Sequence, residues 1–448
     1  MQPPAPDISS GAPTRPPAPS RRAQAACDAM RLAARILVVL MPVLLVVGRA
    51  PADIALSLVA LLFLVAMAIA RDAAPFRTPW MKVALVFWVW LLASAPFALA
   101  DIGSAFGVSA SFIRFPLFAA ALSYWLIDDV TWRRRLLLCL AVVLGASAVW
   151  AVIEWIDIAL SINDEQPVIR LTGPFEDNKV GIFIVKLMFP VLGFLAWRAL
   201  LPADRVAGGP ARASARGTGL VLGYAAVLLV AILLSGERMA LLMALAGMLI
   251  MGLLVRARLL RRLTLALLAA AIILGGLTAV LAPRLYDRQI TSTLATVSAI
   301  GDSIHGRYWQ SGLDVGALAP WTGVGGKNFR LLCPEIKAAE IAAFEDPQEI
   351  QFCATHPHNI YIEAYTEHGI PGLILFCMMI IALILALRGA GRDDRVTGAA
   401  IGVLLTLWPL ATHGSFYNNW NGAVFWLATG LMLALRNAAA IERKGRPA

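Results

Sequence analysis

The chain has 448 residues, of which 59% are hydrophobic and only 15% are charged. Soluble domains average about 45–50% apolar and about 25% charged residues. The apolar residues also fall in blocks long enough to cross the ~30 Å hydrocarbon core of a bilayer. This composition excludes a soluble globular protein and indicates an all-α polytopic membrane protein.

Twelve apolar segments are candidate transmembrane helices, and the fourth is the weakest because Arg114 interrupts it. They lie at roughly 32–48, 53–70, 81–99, 107–127, 136–157, 179–200, 218–235, 238–255, 263–282, 369–387, 396–413 and 419–435. We predict one membrane domain at 31–436. A disordered cytoplasmic tail rich in Pro, Ala and Arg is expected at 1–30, and a second cytoplasmic tail at 437–448.

The distribution of charge predicts the orientation of these spans. The net charge is +10. If the N-terminus is cytoplasmic and the spans alternate, roughly two thirds of the lysines and arginines fall in cytoplasmic segments, as the positive-inside rule requires. This topology is N-in and C-in, and it places the long segment at about 283–368 outside the cytoplasm. This outward segment is expected to form short helices. It also explains the basic pI without a nucleic-acid partner.

Three of the five histidines lie near the end of this outward segment, in the stretch HPHNIYIEAYTEHGIPGL at 356–373. A helix that starts after Pro357 would place four ring side chains on one face: His358, Tyr361, Tyr365 and His368. A histidine in the first turn would be kept neutral by the helix dipole, and neutral imidazole is the form that a general base needs. We therefore predict His358 as a catalytic base and His356 as a second base or positioning group. His368 is better explained as an interfacial residue.

Arg238 begins the eighth span, and no acid lies three or four residues later to pair with it, although Glu237 is adjacent. A guanidinium beside the free N–H groups of a helix start is suited to binding an anion. The alternative is an arginine that snorkels to the outer interface. Two weaker candidates for the same role lie inside spans: Arg114 and Lys186.

Arg170 lies in VIRLTGPFEDNKVG, just ahead of the sixth span, and it is a second candidate for the same anion. The alternative is an ion pair with Glu176 or Asp177. Asp177 or Asn178 is also expected to cap the sixth span.

Two further features of the outward segment concern metals and cysteines. No outward Asp-x-Asp pair or His/Cys cluster has the spacing of a metal site, so neither a metal nor another cofactor is expected. The stretch GVGGKNFR at 323–330 lacks the Walker spacing and is interpreted as a tight loop. Cys333 and Cys353 both lie outside the cytoplasm, where disulfides persist, so they are either bridged or two unpaired thiols.

The pattern His358-Asn359, nine residues, Gly369, two residues, Gly372 resembles the signature of the bacterial O-antigen ligase family, which shares a superfamily with Wzy-type polymerases. The resemblance extends to LSGERMALLMALAG, to RLTGPFEDNKVG and to the long outward loop followed by three spans. It implies a GT-C-like, metal-independent, inverting glycosyltransferase of the bacterial inner membrane, with its active site facing the periplasm.

Carried over by motif, His358 would be the base, and Arg170 and Arg238 would hold a diphosphate. The donor implied is a glycan on undecaprenyl diphosphate, drawn from the membrane lipids, and the acceptor is a sugar hydroxyl of lipid A–core. We predict an O-antigen ligase. A Wzy-type polymerase is the first alternative, and a membrane transporter is a second one from another class. The polar signal in the outward loop disfavours the transporter, whose sites usually lie at mid-membrane. The supporting residues expected around the base are Asn359, Tyr361, Tyr365, Gly369 and Gly372.

Overall fold

The computed structural model describes residues 20–126, 129–161, 170–205, 211–343, 352–388, 392–412 and 414–444. Regular secondary structure in these ranges is helical, apart from two isolated bridge pairs. Ten helices within these ranges are long and apolar enough to cross a membrane. The all-α polytopic membrane fold predicted from the sequence is thereby confirmed.

The N-terminal part of the chain forms ten of the helices. They are α1 (Arg21–Val47), α2 (Arg49–Ala70), α3 (Pro79–Ser94), α4 (Ile102–Phe112), α5 (Arg114–Trp125), α6 (Val130–Ser161), α7 (Val180–Ala199), α8 (Ala215–Leu234), α9 (Arg238–Leu254) and α10 (Arg258–Leu281). The fourth predicted span is divided into α4 and α5, and the division falls at Arg114, where the sequence is interrupted by charge.

The outward segment carries short helices, as its polar and apolar spacing predicted. They are α11 (Pro283–Tyr286), α12 (Ser292–Ser298), α13 (Ile304–Gly316), α14 (Phe329–Ile336) and α15 (Ala338–Ala342), with a π-helical turn at Asp287–Thr291. The last three helices are α16 (Ile360–Leu385), α17 (Asp394–Thr406) and α18 (Asn419–Lys444). Helix α16 therefore begins inside the predicted outward segment and passes through its boundary at Gly369.

The helix bounds also correct the predicted tails. Helix α1 begins at Arg21, within the expected disordered tail, because the Ser20 hydroxyl accepts the N–H of Ala23 and the residues that follow are rich in alanine. Helix α18 likewise continues to Lys444, beyond the predicted end of the domain at 436. The rest of the two tails, 1–19 and 445–448, lies outside the described residues.

Helix α7 lies at the centre of the bundle. Its side chains are buried almost throughout, and Phe183 and Phe189 are fully enclosed. Outer helices keep large apolar side chains exposed, such as Val142 on α6 and Leu281 on α10 at 70% and 75% exposure. Exposed apolar faces of this size are expected where helices meet lipid rather than water. The N-terminal end of the buried α7 helix is where the charged residues of the candidate site gather.

Candidate active site

The segment that carries Arg170 is held by Glu154, a carboxylate on α6. Glu154 Oε1 accepts hydrogen bonds from the backbone N–H and the hydroxyl of Thr172, both at 3.0 Å. Its Oε2 accepts the N–H of Gly173 at 2.7 Å. Hydrogen bonds to a charged acceptor are stronger than neutral ones. The carboxylate therefore fixes the backbone that follows Arg170.

The same segment contacts the loop between α8 and α9. The N–H of Leu171 donates to the carbonyl oxygen of Ser235 at 3.1 Å. Asp177, the expected alternative partner of Arg170, forms an ion pair with Arg49 instead. The fold thus brings the two arginine-bearing segments of the sequence to the same end of the bundle.

Glu237 caps helix α7 from the α8–α9 loop, which corrects the prediction that Asp177 or Asn178 would cap it. Its carboxylate accepts the N–H of Gly181 at 2.6 Å and the next N–H at 3.2 Å. Burial raises the pKa of Glu237 to about 7, against the opposing effect of these N–H groups and of nearby cations. Glu237 is therefore committed to α7, and it does not form an ion pair with its neighbour Arg238.

Arg238 is the first residue of α9 and reaches toward the outward segment. Its Nη1 donates to the carbonyl oxygen of Ser292 at 2.9 Å and to the hydroxyl of Thr296 at 3.0 Å. The side chain is half-buried. These contacts hold the guanidinium beneath helix α12. The side chain therefore does not extend freely into the membrane interface, as the snorkelling alternative would require.

Arg288 completes a group of three guanidinium side chains, which we call the arginine cluster: Arg170, Arg238 and Arg288. Arg288 Nε donates to the carbonyl oxygen of Gly236 at 2.9 Å. Burial lowers the pKa of Arg288, and the positive charges of Arg170 and Arg238 lower it further. Three mutually repelling cations around a half-buried site create the positive potential that an anionic ligand would relieve.

Three histidines and one tyrosine form a second group, which we call the histidine cluster: His305, His356, His358 and Tyr308. The ring of His358 stacks on Tyr308 with centroids 5.1 Å apart, and its centroids to His356 and His305 are 4.2 Å and 5.8 Å. The His356 Nδ1 lies 2.9 Å from the hydroxyl of Thr355. Within the described ranges, no group of His, Cys, Asp and Glu is arranged to hold a metal ion.

His305 connects the two clusters electrostatically. Burial lowers its pKa to about 4, and the positive charges of His358, Arg238 and Arg170 act in the same direction. Its Nδ1 is buried without a hydrogen-bond partner among the described residues. At neutral pH the His305 ring is therefore uncharged, and it faces both the catalytic candidate and the cations.

The structure corrects the position of His358 relative to helix α16. The helix begins at Ile360, and Asn359 is its N-cap, with Oδ1 accepting the N–H of Tyr361 at 3.0 Å and the following N–H at 3.2 Å. His358 precedes the cap with φ = +56°, so it does not lie in the first turn or share a helix face with Tyr361. A non-glycine residue at positive φ is uncommon and is often found at functional sites. The backbone turns the imidazole toward α13 and not along the helix.

The glycines of the sequence motif shape the kink of α16. Gly369 has φ = +71° and ψ = −176°, a conformation open essentially to glycine alone. A Cβ there would lie 2.4 Å from the carbonyl oxygen of Trp321, and a Cβ at Gly372 would lie 3.2 Å from Trp90 Nε1. The N–H of Ile370, freed by the kink, donates to the Pro320 carbonyl oxygen at 2.8 Å. The loop at 320–325 therefore packs onto the kink, and the motif glycines permit that approach.

Replacing Gly369 with alanine is expected to lower the free energy of unfolding by about 1–3 kcal/mol, because the strained backbone and the contact with Trp321 both oppose a Cβ. The change is measured as a lower apparent Tm of the purified protein in detergent. Gly276→Ala is the matched control, since it lies within helix α10 with no atom within 4 Å of the added Cβ. A helical alanine there is expected to be neutral or stabilising. Equal Tm values for the two variants would contradict this assignment.

The remaining sequence candidates have structural partners. Arg114 forms an ion pair with Asp53 at 3.0 Å and donates to Asn419 Oδ1 at 3.0 Å, so it joins three helices. Lys186 is buried in α7, where its charge acts on the Glu237 carboxylate.

The polar residues of α16 connect this helix to its neighbours. Asn359 Nδ2 and the Tyr361 hydroxyl donate to carbonyl oxygens that follow α17, at 2.8 Å and 2.7 Å. Tyr365 packs against Gly316 of α13. A disulfide joins Cys333 to Cys353 with Cα atoms 5.8 Å apart, and it closes the part of the outward segment just ahead of the histidine stretch.

Sequence reasoning missed three members of these clusters: His305, Tyr308 and Arg288. They come from α13 and from the turn before α12, far from the motifs in sequence. The available signal was compositional, since all five histidines are predicted on the outward side, and His305 belongs to the polar and aromatic stretch GDSIHGRYWQ. His413, the fifth histidine, lies outside the described residues.

The fold and these clusters define a multi-pass membrane protein with a cationic and histidine-lined site at one end of its helical bundle. Residues 223–377 match the family model described as O-antigen ligase. The match covers the α8–α9 loop, the outward segment and the kinked part of α16, and it confirms the resemblance found in the sequence. It supports a membrane enzyme of the O-antigen ligase and polymerase class. The search of curated proteins gave no match to the chain.

Proposed function

We propose that this protein is an O-antigen ligase, which transfers a polysaccharide from undecaprenyl diphosphate to a sugar hydroxyl of lipid A–core at the periplasmic face of the inner membrane. The observation that carries the proposal is the meeting of the histidine cluster and the arginine cluster at one end of the bundle. A base and a polycationic anion site are the two elements that inverting transfer from a lipid diphosphate needs.

His358 takes the role of general base in this proposal. The acceptor oxygen attacks the anomeric carbon of the donor sugar as its proton moves to a ring nitrogen of His358. A new carbon–oxygen bond forms, the bond from the anomeric carbon to the diphosphate oxygen breaks, and the diphosphate leaves with the electron pair. Because attack and departure occur on opposite faces, the anomeric configuration inverts.

The arginine cluster takes the role that divalent cations play in many diphosphate-dependent transferases. Guanidinium groups bind phosphate oxygens through paired N–H donors, and they stabilise the charge that develops on the leaving group. Arg238 is positioned by Ser292 and Thr296, and Arg288 by the Gly236 carbonyl, so neither needs to reorganise when the donor binds. On this basis transfer is proposed to be metal-independent.

The test uses purified protein in nanodiscs, a defined undecaprenyl-diphosphate-linked glycan, and lipid A–core added or omitted. We expect glycan on lipid A–core only when that acceptor is present, at the same rate with EDTA as with added Mg²⁺. Loss of activity in EDTA that Mg²⁺ restores would contradict the metal-independent mechanism. Absence of any product from a folded protein would contradict the transferase.

A Wzy-type polymerase is the second candidate, because the segment RLTGPFEDNKVG fits an arginine pattern that resembles one of the polymerases, in which ten residues separate Arg170 from Gly181. The acceptor would then be a lipid-linked repeat unit. Longer lipid-linked glycans formed without lipid A–core would favour this function over the ligase, with the same base and the same arginines.

A further inference from the structure

The connection between α8 and α9, which we call the 235–238 loop, contacts the segments that carry the other members of the arginine cluster. The carbonyl oxygen of Ser235 accepts the N–H of Leu171 at 3.1 Å, next to Arg170. The carbonyl oxygen of the glycine that follows accepts the Nε–H of Arg288 at 2.9 Å. The third guanidinium group belongs to the last residue of the loop itself. The position of this loop therefore determines where all three guanidinium groups lie.

The buried carboxylate of Glu237 ties the 235–238 loop to helix α7. The residue is 7% exposed, and its two oxygens accept the N–H groups of Gly181 at 2.6 Å and Ile182 at 3.2 Å. These N–H groups belong to the first turn of α7, where the helix itself supplies no acceptor for them. Hydrogen bonds to a charged acceptor are stronger than neutral ones, so the carboxylate fixes the loop to the helix at the centre of the bundle.

The first turn of α7 packs closely against this loop at Gly181. A Cβ on that residue would lie 2.5 Å from Ser235 Oγ and 3.0 Å from Glu237 Oε1. Ser235 is fully buried, and its hydroxyl donates to the carbonyl oxygen of Ile232 at 2.7 Å and accepts the N–H of Glu237 at 3.2 Å. Because both contacts hold the hydroxyl in place, a side chain at position 181 would push the loop away from α7.

We infer that Glu237 is the positioning residue of the arginine cluster: its carboxylate fixes the 235–238 loop on α7, and the loop in turn places the three guanidinium groups for the donor's diphosphate. The inference rests on the proposed function. Three guanidinium groups repel one another, so a fixed backbone is needed to keep them together before the donor binds. The Glu237 charge also interacts with Arg170 and Arg288 and reduces that repulsion. Since both of its oxygens accept N–H groups of α7, Glu237 acts through the arginines and not on the donor.

The test measures the affinity of the purified protein for undecaprenyl diphosphate without a glycan, by native mass spectrometry, so that binding is separated from transfer. Glu237→Gln keeps the size of the side chain but offers one acceptor oxygen to two N–H donors, and it should weaken binding about tenfold. Arg288→Ala should weaken binding about tenfold in the unaltered protein, but by about threefold or less in Glu237→Gln, because Arg288 has already lost its position there. Glu154→Gln is the matched control: this acid-to-amide change affects the Arg170 segment alone, so Arg288→Ala should keep its full effect in that background.

Gly181→Ala is a second variant that separates the loop from α7 without changing a charge. It should reproduce both the loss of affinity and the coupling to Arg288→Ala, and it carries the test if Glu237→Gln does not fold. Independent, additive losses in Glu237→Gln and Arg288→Ala, or full affinity in Glu237→Gln, would overturn the inference and leave Glu237 as a helix cap only. If the unaltered protein does not bind undecaprenyl diphosphate, the proposed function fails and this inference fails with it.

Discussion

Replacing His358 with alanine is expected to lower the rate of glycan transfer by about 10²–10⁴-fold, the usual contribution of a positioned general base. The acceptor hydroxyl is a weak nucleophile until its proton is removed, and alanine cannot accept that proton. Donor binding should change little, because the arginine cluster stays intact. Single-turnover rates and donor affinity, measured separately, should therefore diverge, with the loss confined to the chemical step.

Two comparisons distinguish a base from a structural residue. Free imidazole is expected to restore part of the activity of His358→Ala, because it can occupy the space beside Tyr308 and accept the proton. His356→Ala removes the neighbouring ring, 4.2 Å away, and is expected to cost less than tenfold if His356 only positions His358. An active His358→Ala variant would exclude His358 as the base. An inactive His356→Ala variant that imidazole restores would identify His356 as the base instead.

His358 could be proposed as the base from the sequence because the signal was local. The pairing of His358 with Asn359, followed by two spaced glycines, is visible within fifteen residues. The structure shows what three of these four motif residues do for the fold. Asn359 caps α16, Gly369 allows the kink, and Gly372 allows the approach of Trp90. The positive φ of His358 was not predictable, since any residue can precede an N-cap and the turn depends on the packing of α13.

Ten of the twelve predicted spans correspond to candidate membrane helices of the described residues, because hydrophobicity over about 20 residues is a strong signal for a membrane helix. The eighth and eleventh predicted spans correspond to the shorter helices α9 and α17. The ends of the helices were less predictable than the spans themselves. Helix α16 extends upstream to Ile360 because Asn359 caps it and its first turns pack on α13, contacts that link distant parts of the chain. The cap of α7 was missed for the same reason, since Glu237 lies across the loop and not beside the helix it caps.

Arg288 shows the limit of pattern reasoning for the candidate site. Neither its neighbours nor its spacing from Arg170 and Arg238 distinguishes it from the other arginines of the chain. Its assignment depends on the tertiary contact of Nε with the Gly236 carbonyl and on the repulsion from the other two guanidinium groups. It is therefore a member of the proposed anion site that only the folded chain identifies.

Replacing Arg238 with alanine is expected to lower the turnover of the donor by about 10²–10³-fold, a loss typical of removing one donor to a developing anionic charge. Arg238→Lys keeps the charge but not the paired N–H geometry, so an intermediate loss is expected. Arg288→Ala should fall in the same range if all three guanidinium groups contact the diphosphate. Arg262→Ala, an exposed arginine near the opposite end of the bundle, is the matched control and should retain full activity.

The dependence on leaving group tests whether these arginines act on the diphosphate itself. A donor with a better leaving group needs less stabilisation of the departing charge, so it should lose less activity in Arg238→Ala than the natural diphosphate does. His358→Ala should lower the rate of transfer equally with both donors, because it acts on the acceptor.

Arg170 belongs to the segment that Glu154 holds. Glu154→Gln should therefore reproduce part of the loss of activity seen in Arg170→Ala while leaving Arg238 in place. If Glu154→Gln is fully active and Arg170→Ala is not, the guanidinium finds its position without the Glu154 carboxylate charge.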